Sequence, residues 1–188
     1  MNIIISIEGK LLNSERANSL LNAGLDIICK LKTIDTDVVS ETVYNIFTTL
    51  TGLVECDNVT NEQFEEKKVL SKCIEIFQKN DGWHYRSESV MQEAIEFFDS
   101  LCRWKKLVDK DSDYELLVPL LIFGMKQFPE NTSIRKNVLR LIEHACETMK
   151  NKKLIEKVAM EGLSGLFARN DINEVEMTEV RTVMRGLL

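Results

Sequence analysis

Proline and glycine are scarce in this 188-residue chain, which holds two of the first and eight of the second. Both disfavour helix interiors, so their scarcity leaves room for long helices and takes away the turn-rich signature of a β-sandwich or barrel. Strand-like alternation is missing too, whereas apolar spacings of three and four recur throughout. No apolar run reaches the roughly 18 residues of a membrane span. Ile3-Ile4-Ile5 is too short for the apolar region of a signal peptide, and no basic stretch precedes it. Basic residues are outnumbered, 24 Lys+Arg against 30 Asp+Glu, giving a net charge of −6. Phosphate binding draws on an excess of Lys and Arg, so nucleic acid is excluded as the expected partner. His84 and His144 are the only histidines and lie 60 residues apart, which offers no metal-ligand spacing. The five cysteines (Cys29, Cys56, Cys73, Cys102 and Cys146) are odd in number and form no C-x-x-C pair. Four sit in apolar helical stripes as small hydrophobes, which points to a reducing, intracellular compartment, cytoplasmic or nuclear.

Catalytic constellations are also lacking. Gly162-Leu163-Ser164-Gly165 follows no strand, so it is neither a phosphate loop nor a nucleophile elbow. Cys146 and His144, two apart on a helix, point to different sides. Glu65-Glu66 and Asp111/Asp113 lie near helix starts, where capping and the helix dipole explain them. The chain therefore reads as non-enzymatic, with no cofactor and no metal.

What the chain does contain is an internal repeat. Ser89 to Cys102 (SVMQEAIEFFDSLC) and Ser133 to Cys146 (SIRKNVLRLIEHAC) are 44 residues apart. They agree in character at Val90/Ile134, Ala94/Val138, Ile95/Leu139, Phe97/Leu141, Phe98/Ile142, Asp99/Glu143 and Cys102/Cys146. Self-similarity at this period marks an array whose units bury their apolar faces by stacking on neighbours. The periodicity predicts eight helices, at about 14–32, 36–54, 61–78, 87–106, 113–127, 132–150, 152–168 and 173–187. Three of them end on Phe-x-x-Asn (Phe77 to Asn80, Phe128 to Asn131, Phe167 to Asn170), an apolar plug followed by a residue suited to a cap. Val38, Thr42, Val43 and Ile46 align more weakly with Val90, Ala94, Ile95 and Phe98. Met91 and Trp104 fall at helical spacing with Ile95 and Leu101, as core residues would. Arg103, Lys105 and Lys106 suit a helix C-terminus.

Val118-Pro119-Leu120-Leu121-Ile122 resembles the second helix of an armadillo unit, and Val90–Cys102 and Ile134–Cys146 resemble its third. The resemblance is to the armadillo/HEAT superfamily. It implies one all-α domain over residues 1–188, a right-handed α-solenoid of about four helical repeats. Pro119 would then lie in the first turn of a helix starting near Val118, with Asp113 to Leu117 a separate short turn. The resemblance also implies a concave groove lined by third helices. Its recognition positions fall on Glu41, Tyr44 and Thr48, on Glu93, Glu96 and Ser100, and on Asn137, Arg140 and His144. No Trp–Asn ladder stands there, which argues against clamping an extended basic peptide by its backbone. Tyr85 and Arg86, in the insertion Asp81–Arg86 beside Trp83, have the composition of an interaction hot spot. The function expected is a protein–protein interaction scaffold or adaptor that binds a peptide or helix segment of a protein partner. The alternatives are a regulatory solenoid acting on a small GTPase or kinase, and an assembly module that self-associates through its ends. The chain stops at Arg185-Gly186-Leu187-Leu188 without a polar cap, so it is expected to be the N-terminal part of a longer protein or to pack that end on a partner.

Overall fold

The computed structural model describes residues 14–30, 37–55, 59–78, 87–105 and 111–148, together with Met160, Thr178, Arg181 and Arg185. Every regular element among them is helical, and no strand forms. Contacts cluster into two compact units, residues 1–107 and 108–188.

In the first unit, α1 (Ser14–Lys30) buries Ala17, Leu21, Leu25 and Ile28, a stripe with the helical spacing of four, four and three. Ser14 is the first residue of the helix rather than its cap. α2 (Asp37–Val54) buries Val39, Val43, Ile46, Phe47, Leu50, Leu53 and Val54. α1 packs on α2 and on α4 (Val69–Gln78), and α2 packs most extensively on α5 (Glu88–Ser100). Phe47 is the hub of this core: its ring centroid lies 5.9 Å from Phe77, 5.8 Å from Phe97 and 6.3 Å from Phe98. These offset and edge-on geometries suit the ring quadrupoles.

An unbroken helix over 61–78, as the apolar spacing predicts, does not form. α3 (Asn61–Glu66) opens with a reciprocal capping box. The Gln63 backbone N–H donates to Thr60 Oγ1 at 3.3 Å, and the Thr60 N–H donates to Gln63 Oε1 at 2.8 Å. The helix stops at Lys67, and Lys68 takes a left-handed conformation, φ 52°. The reason lies in the buried face. At 100° per residue, a continuous helix would set Phe64 about 120° away from Leu70, outside the stripe of Leu70, Cys73, Ile74 and Phe77. The break lets Phe64 and Leu70 both be buried.

Lys67 Nζ donates to Asn22 Oδ1 at 2.7 Å, across 45 residues. Farther along both helices, Cys29 lies near enough to Cys73 to help push that thiol far above its ordinary range, after burial itself. An antiparallel pair pivoting on Asn22 and Lys67 would hold these thiols roughly 20 Å apart. α1 and α4 therefore run in the same direction.

α5 is capped by Ser87 and continues into a π-helical turn, Leu101–Lys105. That turn leaves Trp104 60% exposed rather than in the core, a correction to the expectation from spacing. Met91, Ile95 and Leu101 are buried as expected. So are Cys73 and Cys102, whereas Cys29 is exposed.

In the second unit, α6 (Asp111–Gln127) packs on α7 (Thr132–Thr148). α6 runs straight through Pro119, so Asp113 to Leu117 is no separate turn. Pro119 and Glu115 are exposed, and water can take the carbonyl that the proline leaves without its helical donor, while Val118 and Leu120 stay buried. The Phe-x-x-Asn signal at Phe128 is a tight turn: the Asn131 N–H donates to Phe128 O at 3.1 Å, and Asn131 then caps α7. The other two signals end at Asn80 and Asn170, outside the described residues.

The repeat extends to burial. Val90, Met91, Ala94, Ile95, Phe97, Phe98 and Leu101 are all buried, and so are their counterparts 44 residues on, Ile134, Arg135, Val138, Leu139, Leu141, Ile142 and Ala145. The predicted seventh and eighth helices lie outside the described residues, apart from Met160, Thr178, Arg181 and Arg185, which are helical.

Candidate interaction surface

On α2, Glu41, Tyr44 and Thr48 recur at spacings of three and four and share one face, with Glu41 and Thr48 exposed and Tyr44 half-buried. On α5, Glu93 is half-buried and Glu96 exposed. The two sets meet. Thr48 Oγ1 lies 2.9 Å from Glu93 Oε2 and 3.1 Å from Tyr44 O in its own helix, so its single proton is shared between a carboxylate and a carbonyl.

Sequence reasoning missed Glu55 and Asp99. The carboxyl of Glu96 is raised above its ordinary range, first by partial desolvation and then by the negative charges of Glu93 and Asp99; Arg103 opposes the rise and Glu55 adds to it. Three other carboxylates and one guanidinium thus act on Glu96. Asp99 is buried, and Arg103 Nε holds its Oδ2 at 2.9 Å. The i,i+4 spacing of Asp99 and Arg103 was the available signal, whereas the helix dipole alone had explained Arg103.

Ser100 does not line a surface, contrary to expectation. It is 1% exposed, and its Oγ has no hydrogen-bond partner. Asn137 is likewise buried in the second unit, where its Oδ1 accepts from Arg140 Nη2. Arg140 is exposed, and the half-buried His144 stands edge-on to Tyr114 with ring centroids 6.5 Å apart. Tyr85 and Arg86 lie outside the described residues.

Among the described residues no cluster of three or more His, Cys, Asp or Glu is placed to hold a metal ion, the carboxylates around Glu96 included. No described helix is long and apolar enough to cross a membrane. Comparison with protein-family models, with curated proteins and with solved structures finds no match.

Proposed function

We propose that the chain is a non-enzymatic interaction scaffold, an armadillo/HEAT-like right-handed α-solenoid that holds a segment of a protein partner on the face carrying Glu41, Thr48, Glu93 and Glu96. The observation that carries this reading is that α2 and α5, whose positions Val38, Thr42, Val43 and Ile46 align with Val90, Ala94, Ile95 and Phe98, pack on each other and meet through Thr48 and Glu93. Repeated helices lying side by side are how stacked repeats bury their apolar faces. Stacked units leave a continuous polar face, and such faces serve recognition.

The test is affinity purification of the 188-residue chain from its native cell beside the double charge reversal Glu93→Lys/Glu96→Lys. Partners retained by the parent chain and lost from the double variant are expected. Identical partners for both chains would refute the surface assignment.

A further inference from the structure

We propose that the chain pairs with a second copy of itself through the outer face of α6. The two helices run antiparallel, with Leu116 of each copy against Phe123 of the other and Glu115 against Lys126. This goes beyond the scaffold reading and does not depend on it, since the α2–α5 face takes no part.

The outer face of α6 is apolar where a helix ordinarily meets water with polar side chains. The helix buries Leu117, Val118, Leu121 and Met125 on its inner side. Its other side carries Glu115, Leu116, Pro119, Phe123, Lys126 and Gln127, all exposed. At 100° per residue these six fall within a stripe about 120° wide, with Pro119, Phe123 and Leu116 in the middle. Leu116 and Phe123, 39% and 38% exposed, are two of the five large hydrophobic side chains exposed among the described residues. The other three, Ile27, Trp104 and Met160, lie on other parts of the chain.

Two charges identify the occupant. Glu115 and Lys126 lie within about 20° of each other on the same edge of the stripe, and about 16 Å apart along the helix. A second α6 laid antiparallel, about a twofold axis near Pro119, keeps that edge on the same side and reverses the order along it. Leu116 then stands level with Phe123 of the other copy. Glu115 comes within about 3 Å, measured along the axis, of Lys126 of the other copy. Two such pairs form, one at each end of the contact. A parallel pair would instead set Glu115 level with Glu115 and Lys126 level with Lys126, so the charges select the antiparallel arrangement.

Pro119 adds an acceptor to the same edge. It leaves the Glu115 carbonyl without its helical N–H, and an ammonium with three donors can serve that carbonyl and the Glu115 carboxylate together. One helix face falls short of the roughly 800 Å² per copy of a standard interface, so the pair is weak and reversible, with a dissociation constant of about 10–100 µM.

The experiment is sedimentation equilibrium of the full chain from about 5 to 500 µM, a range that brackets this affinity. A reversible monomer–dimer equilibrium is expected. Glu115→Lys and Lys126→Glu should each weaken the dimer about tenfold, because two exposed pairs are both lost and made repulsive. The double variant Glu115→Lys/Lys126→Glu should regain the parent affinity, and so should an equimolar mixture of the two single variants, since opposite charges then face each other again. Leu116→Gln should weaken the dimer about tenfold by removing apolar area from both copies. Glu65→Lys makes the same charge change on α3 and should alter the affinity less than about twofold. Circular dichroism checks that each variant is folded. A chain that stays monomeric throughout the range would overturn the proposal, and so would a dimer indifferent to the charge reversals or single variants whose mixture regains nothing. A photoreactive residue at Gln127 is expected to join two copies of the chain. Crosslinks from it only within its own copy, or only to a different protein, would give this face another occupant and overturn the proposal as well.

Discussion

Ser87 and Asn131, 44 residues apart, cap their helices in the same way. The Ser87 hydroxyl accepts from the Val90 N–H at 3.4 Å, and the Asn131 carboxamide accepts from the Ile134 N–H at 2.9 Å. The backbone carbonyls of both residues then take the next amides, from Met91 and Arg135. The repeat is thus a capped helix, not only an apolar stripe. Ser87→Ala and Asn131→Ala should each cost about 1 kcal/mol in urea unfolding. The exchanges Ser87→Asn and Asn131→Ser should be nearly neutral, since both residue types cap well.

Arg103 neutralises a carboxylate that is almost fully buried. Half of the arginine is in water, so the pair is less costly to break than a wholly buried one. Arg103→Ala should destabilise by about 1–3 kcal/mol, because Asp99 would keep its charge with less compensation. The double variant Asp99→Asn/Arg103→Ala should recover part of that loss, as a thermal double-mutant cycle would show.

The raised carboxyl of Glu96 has a pH signature. The folded chain holds this proton more tightly than the unfolded chain does, so Glu96 favours folding as pH falls through its raised pKa and opposes it above. Glu96→Gln should therefore raise the melting temperature at neutral pH. That gain should fade below about pH 4, where the carboxyl is protonated in both states. A gain independent of pH would show that charge is not the cause.

Gly24 faces α2 without being required there. A Cβ would meet Ile46 Cγ2 at 3.6 Å and Leu50 Cδ2 at 3.7 Å, ordinary van der Waals contacts. Gly24→Ala should stabilise the chain by about 0.5–1 kcal/mol, through lower unfolded-state entropy and the added contact. Chemical denaturation measures this directly.

The helical class and the apolar stripes of α1, α2, α5 and α7 were legible because each stripe is a property of one helix read along its own length. What the sequence hid depends on neighbours. The break at Lys68 carries no Gly or Pro, and it forms because Phe64 and Leu70 must both be buried. Pro119 looked like a helix start because sequence alone does not show that its missing hydrogen bond faces water. Trp104 was placed by α-helical spacing, and the π turn departs from that spacing. Ser100 and Asn137 are polar residues at recognition positions that packing buries. At Thr48 and Glu93 the positions on separate helices do meet, through one hydroxyl.

The joint at Lys68 also divides the first unit by how easily its parts melt. α3 is six residues long and holds on through Phe64 and the Thr60 box, while α4 carries Phe77 into the Phe47 cluster. With a left-handed residue between them, α3 can open without unwinding α4. Amide hydrogen exchange should accordingly run faster at Phe64 to Lys67 than at Cys73 to Phe77, giving this segment a loose leading edge on a tight hub.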